Sequence, residues 1–273
     1  RGGGLASGSV QGQGRPLSDG AYDEFEGLLR TITLGRKKIQ ECMGFALDYA
    51  DCFGDVVELL EGSLLVKETP VNVKLARLYL VSDLLHNSSA PVRGATMYRT
   101  KLEECLPKVF DHLNATLRNP NLGRMTAGNL EDKVLDLLDV WCGWSIYPAN
   151  FLHGLEASFL RRNADLESDH LAILKGVTGD GSSLDLEDLR RQARRCGVYF
   201  DAKASKGESE DALKLLKKIA LVEVYERAKV MADSSQTDAP RGTALLAQCM
   251  ASLLGPTATS PAGLPGGLPG GGA

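Results

Sequence analysis

The sequence predicts an all-α protein, and three observations carry that reading. Between about Ser18 and Arg162 the apolar residues recur three and four positions apart, the period that gives a helix one buried face. No segment shows the strict alternation of a half-buried strand. Pro, Gly and Asn divide the pattern into helix-length pieces with short connections, which suits antiparallel neighbours.

An opening helix is expected near Tyr22 to Leu29. Ile39, Met43, Leu47 and Ala50 make the next stripe; Val57, Leu60 and Leu64 make another, which stops before Thr69-Pro70, where the proline ring disfavours helix in the residue ahead of it. Val73 to Asn87 is apolar around most of its circumference, as in a central helix enclosed by neighbours. Tyr98, Leu102, Cys105, Val109 and Leu113 follow, with Pro107 expected to kink or divide that helix. Leu130, Val134, Leu137, Leu138 and Trp141 follow Asn129, read as a cap, and Pro148 is placed as the first residue of a helix carrying Leu152, Leu155 and Phe159. That makes seven or eight helices by Arg162. No fixed-period repeat is evident, which argues against a consensus solenoid.

The domain reading is a disordered Gly-rich segment over 1–17, a helical domain over 18–162, a linker over 163–183, a helical hairpin over 184–232 and a mostly disordered tail over 233–273. The two ends, rich in Gly with Ser and Gln or with Pro, cannot bury enough apolar surface to offset their ordering entropy. In the hairpin, Leu186, Leu189, Ala193 and Cys196 form one apolar face beside Arg190, Arg191, Arg194 and Arg195. Its second helix, about Asp211 to Met231, carries Leu213, Leu216, Ile219 and Ala220 with Lys214, Lys217 and Lys218.

Composition narrows the function. A net charge of −4 over 273 residues excludes a polyelectrolyte-type nucleic-acid binder, so any such contact comes from a local patch. No apolar run reaches the length of a membrane span and no signal peptide is visible; Arg1 in place of an initiator Met suggests a fragment or processed product. The six cysteines form no CxxC pair and read as buried free thiols in a reducing compartment. Triplets at Asn87 and Asn114 match the glycosylation pattern, which carries no meaning in an intracellular protein. His86, His112, His153 and His170 lack HExxH or HxxxH spacing, Gly176 to Ser183 lacks a phosphate-loop ending, and no GxSxG occurs. The expectation is a non-enzyme with no cofactor and no metal.

The most informative stretch is Leu78 to Ser89, LYLVSDLLHNSS, because it carries an Asp and an Asn into a segment that otherwise reads as buried. Polar groups taken from water cost a few kcal/mol unless partnered. Asp83 therefore lines a ligand groove, is solvated, or pairs with Arg77 or Lys74 on its own helix. Asn87 faces the same groove or caps the helix end.

Three segments carry a family resemblance: Asn72 to Ser89 (NVKLARLYLVSDLLHNSS), Tyr98 to Phe110 with His112 to Thr116 (HLNAT), and Val140 to Leu152 (VWCGWSIYPANFL). In order and spacing they resemble the CTD-interacting domain, or CID, over about Ser18 to Arg162, and are most similar to that of the U2 snRNP-associated SURP-motif splicing factors and their plant relatives. The resemblance implies a right-handed superhelix of about eight helices of the ENTH/VHS superfamily kind, with a groove for the C-terminal heptad tail of RNA polymerase II, phosphorylated or not. It implies a nuclear mRNA-processing role in splicing, with spliceosomal U2 snRNP components as further partners and no membrane. It assigns Asp83 to the hydroxyl of a heptad tyrosine, a charge-assisted bond, and puts Asn87 one turn on in the same groove. Tyr79 and Leu80 would pack against the peptide or belong to the core. Relatives that read phosphoserine carry an Arg in the segment equivalent to Trp141 to Tyr147; here Trp144 stands there, leaving Lys133, Arg93 or Arg124 to meet a phosphate.

The 184–232 hairpin is loosely similar to a SAP motif, with a Gly-Val step at Gly197-Val198 and a longer loop. Its arginines Arg190, Arg191, Arg194 and Arg195 either bind nucleic acid, RNA included, through phosphates or form a solvated helix face. A VHS/ENTH membrane-traffic adaptor is the other alternative. Asp19, Asp23, Glu24 and Glu26 in the opening helix argue against it, because an anionic membrane repels them.

Overall fold

The computed structural model describes residues 14–167, 185–201, 208–234 and 240–254, and every regular element among them is helical. In chain order these are α1 Asp19–Thr31, α2 Arg36–Asp48, a 3-10 turn Ala50–Cys52, α3 Phe53–Leu65, α4 Val71–Asn87, α5 Met97–Leu117, α6 Arg124–Gly143, α7 Ala149–Leu160, α8 Asn163–Glu167, α9 Leu186–Arg195, α10 Glu208–Ser234 and α11 Gly242–Leu254. The helices stack as the helical superhelix that the family resemblance implies, with α4 packed against α2, α3, α5 and α6.

The sequence reasons for each element are visible. Ser18 Oγ accepts the Ala21 N–H and starts α1. Thr69-Pro70 separates α3 from α4, with Pro70 at the α4 N-cap, where its missing N–H costs nothing. α6 ends in a left-handed turn at Ser145 (φ 53°), where Ser145 N–H donates to Cys142 O (2.9 Å) and Ile146 N–H to Trp141 O (3.2 Å).

Some expectations are corrected. Pro107 lies inside the undivided, 21-residue α5. α6 begins at Arg124 with Gly123 as its N-cap, so Asn129 is interior, and Pro148 is the N-cap of α7 rather than its first residue. The buried face of α2 is Ile39, Cys42, Phe45 and Ala46, with Met43 and Leu47 only partly covered. All six cysteines are free thiols, but Cys142 is exposed and Cys249 only partly covered, so four of them are buried as expected.

The greatest difference from the sequence reading is at the C-terminal end. Leu189 and Ala193 of α9, Leu216, Ile219 and Ala220 of α10, and Leu245, Leu246 and Met250 of α11 join one hydrophobic core with α1–α7. α10 packs along α7, where Tyr225 Oη and Lys229 Nζ donate to the two oxygens of the buried Glu156 (2.7 and 2.8 Å). Asp111 of α5 bridges Arg161 and Lys218, both at 3.0 Å. The tail expected from residue 233 contains α11, fastened to α6 by Thr243 N–H and Oγ1 on Glu131 (2.8 and 2.7 Å) and by Arg241 on Asp136 and Asp139. Of the expected linker, 163–167 is α8. The remainder of that linker, the Gly-rich 1–13 and the Gly/Pro-rich 255–273 lie outside the described residues.

Candidate functional site

α4 is buried almost all round, from Lys74 to Leu78, Leu80 to Ser82, Leu84 and Leu85. Beyond its first turn the opening in that cover is a strip: Tyr79, Asp83 and Asn87, four residues apart, with His86 beside them. The i, i+4, i+8 spacing puts these side chains on one helix face. Leu80, the sequence alternative to Tyr79 as a peptide contact, is core.

The two cations on α4 that could have neutralised Asp83 are committed on the opposite side. Arg77 donates to Leu29 O (3.2 and 2.9 Å), Ser63 O (2.5 Å) and Thr69 Oγ1 (3.4 Å). Lys74 Nζ donates to Leu64 O (2.9 Å) and Val66 O (2.6 Å) and faces His112 Nε2 at 3.2 Å. Each satisfies the free carbonyls at a helix C-terminus, Arg77 those of α1 and α3 and Lys74 that of α3, and each places its charge where the helix dipole favours a cation. Burial lowers both pKa values, that of Lys74 to about 8. Burial, with the neighbouring Lys74 ammonium, lowers that of His112, consistent with a neutral ring accepting at Nε2.

Asp83 is therefore left without an ion-pair partner or a side-chain hydrogen bond among the described residues. It is half-buried, and desolvation raises its pKa against the opposing pull of His86 and of Arg36 at the start of α2. A carboxylate in this state gains from a donor delivered by a ligand, about 1.5–3 kcal/mol for a charge-assisted bond. Asn87 Nδ2 donates to Asp83 O (2.8 Å), one turn back on the same helix, while Ser88 stands at the C-cap of α4; among the described residues Asn87 Oδ1 accepts no hydrogen bond.

The wall on the α6 side is fixed by Trp141, fully buried, whose indole N–H donates to Ser82 Oγ (3.0 Å). Trp144, one turn later, rests on His86 with ring centroids 4.6 Å apart and is 45% exposed. Lys133 is exposed on α6 and pairs with Asp136 (3.7 Å), which also holds Arg241. The sequence pattern did not single out Arg36 or His86. His86 was readable as the i+3 neighbour of Asp83; Arg36, far away in the chain, had no local signal.

The arginine cluster of α9 is laced to its own surroundings. Arg190 and Arg194 lie over the Phe200 ring (6.0 and 5.3 Å) and each meets Glu187 (3.7 Å); Arg191 meets Asp188 (3.0 Å); Arg195 is exposed. Lys218 is tied to Asp111 and to Tyr199 O within the body. A cleft of about 1200 Å³ lies between α3, α5 and the residues after α9; Arg194 alone of the expected site residues lines it. Its acids Glu61 and Glu104 are already paired with Lys108 and Lys101. Among the described residues no group of His, Cys, Asp and Glu could hold a metal ion, and no helix is long and apolar enough to cross a membrane.

The central helix is thus enclosed but for this open strip among the described residues, and residues 23–155 match the model of the CID domain, so this part of the chain is a CID domain. The chain is similar to Protein RRC1 of Arabidopsis thaliana, 50% identical over 147 residues that make 54% of this chain and 15% of that protein. It is also similar to Protein RRC1-like of the same plant, 44% identical over 174 residues, 63% of this chain and 18% of that one. The chain thus spans less than a fifth of the length of these curated relatives.

Proposed function

We propose that this chain is part of a nuclear pre-mRNA processing factor whose CID domain binds the C-terminal heptad tail of RNA polymerase II, without turnover, while the factor works alongside spliceosomal U2 snRNP components. The observation that carries the reading is Asp83: a half-buried carboxylate on the open strip of α4, unpaired among the described residues although Lys74 and Arg77 share its helix. A tyrosine hydroxyl donates to this carboxylate, and the peptide lies along the strip between α2 and α6. Arg36, which after His86 acts on Asp83 across the helix interface, is the arginine placed to meet a phosphoserine; Lys133 is engaged by Asp136.

A disordered peptide loses conformational entropy on docking, so one heptad binds modestly and repeated heptads bind more tightly through effective concentration. Fluorescence anisotropy with unmodified and serine-phosphorylated tail peptides tests the reading, beside a single-stranded RNA of matched charge. Asp83→Ala is expected to weaken peptide binding about tenfold, the loss of one charge-assisted bond of ~1.5 kcal/mol, with unchanged helical circular dichroism. Peptide affinity equal to wild type, or retention of the RNA alone, would overturn it.

A further inference from the structure

We propose that Trp144, seated on His86 and continued by Val140, is a second binding position of the groove, which takes an uncharged ring or aliphatic side chain of the peptide held at Asp83. The inference rests on the reading of Asp83 above and adds a residue that decides which peptides fit.

The two tryptophans of the chain have opposite environments. Trp141 is inaccessible and its indole N–H is bonded to Ser82; Trp144 is 45% exposed, and among the described residues its N–H meets no protein acceptor. Val140, four residues earlier on the same face of α6, is 41% exposed. Two large apolar side chains thus stand in water side by side, beside a half-buried acid. Tryptophans in such positions are prominent among residues that dominate binding.

The shelf is continuous with the Asp83 strip. His86 lies three residues after Asp83 on α4, close enough for its charge to act on that carboxylate, and its ring meets the Trp144 ring at 4.6 Å and 57°. A peptide anchored by a phenol at Asp83 therefore passes over the indole with its neighbouring residues. The position is also pre-set. Ser145 takes the left-handed conformation at φ 53°, a strained one for a residue with a Cβ, and the turn is pinned by Ser145 N–H on Cys142 O and by Arg99 donating to Ser145 O (3.2 Å). A side chain held ready in its bound place loses little entropy when a ligand arrives.

The surface selects uncharged groups on chemical grounds. The indole face and the valine methyls are apolar and gain most from an apolar group laid over them, and the adjoining Asp83 carboxylate disfavours an anion there. A proline or aliphatic side chain gains by covering them.

The test uses the full chain and an unmodified two-heptad tail peptide. Because Trp141 is shielded, acrylamide quenching of tryptophan fluorescence reports Trp144. Saturating peptide is expected to cut the quenching constant at least twofold. Trp144→Ala is expected to weaken binding about tenfold, with Trp144→Phe within about threefold of wild type and both variants unchanged by circular dichroism. Peptide that binds by anisotropy and depends on Asp83, yet leaves quenching and the Trp144→Ala affinity at wild-type values, overturns this inference alone. Absence of peptide binding to the wild-type chain overturns both it and the reading it rests on.

Discussion

Gly154 is where the C-terminal helices meet the CID domain backbone to backbone, and replacing it with Ala probes that union. A Cβ built on Gly154 stands 1.5 Å from Cys196 O and 2.7 Å from Cys196 C, whereas ordinary contact begins at 3.4 Å, so the turn after α9 would have to retreat by about 2 Å. The obstacle is main chain, not a side chain that can swing aside. The facing Gly197 has φ +63°, and a Cβ built on it would stand 2.4 Å from Phe151 O. Overpacking of this kind costs about 1–3 kcal/mol, and the upper end applies where backbone blocks backbone. Ala gains about 1 kcal/mol over Gly in a helix, which leaves a net loss near ~2 kcal/mol. Gly44 of α2 and Gly128 of α6 serve as controls: neither has an atom within 4 Å of a built Cβ, so Ala at either position should stabilise by up to about 1 kcal/mol. Urea unfolding followed by circular dichroism reads all three. A Gly154→Ala protein as stable as the controls would refute the seating of α9 and α10 on α7.

Two other perturbations follow from the buried cations and the enclosed thiols and phenols. Arg77→Met strands Leu29 O and Ser63 O without their donor and should lower unfolding stability by about 3 kcal/mol; a loss under about 1 kcal/mol in the same urea assay would contradict the role of Arg77 as a joint between α1 and α3. Alkaline titration should bring two opposed effects. Lys74, depressed to about 8, binds fewer protons folded than unfolded, so stability rises with pH between about 8 and 10.5. Cys42 and Cys105, raised by burial to about 11 and about 12, and Tyr98, Tyr147 and Tyr225, raised likewise, contribute stability that is full below their unfolded values and lost as pH climbs past 9 to 10. Thermal unfolding against pH should show a shallow gain to about pH 9 and a steep fall above 10; Lys74→Met should lose the gain.

Much of the helical body was legible because periodic burial alone writes it. Tyr98, Leu102, Cys105, Val109 and Leu113 of α5, and Leu130, Val134, Leu137, Leu138 and Trp141 of α6, are all buried as their spacing demands. Pro107 does not divide α5 because its cost depends on context: inside a long helix held on several sides, packing outweighs the lost hydrogen bond. α11 was obscured because its anchors, Glu131, Asp136 and Asp139, lie over a hundred residues earlier and leave no local mark. The same holds for the site. Asp83 stood out within one helix, whereas the commitment of Lys74 and Arg77 to α1 and α3, the His86–Trp144 contact and the nearness of Arg36 depend on which helices become neighbours.

The central claim is that the Asp83 carboxylate meets a phenol of the guest. A double-mutant cycle isolates that contact: wild-type and Asp83→Asn chains, each titrated by anisotropy with a tail peptide and with the same peptide carrying Phe for each Tyr. The account predicts that either change alone weakens binding about tenfold and that the second adds little once the first is made, a coupling of at least ~1 kcal/mol. Fully additive losses, with no coupling between acid and hydroxyl, would contradict it.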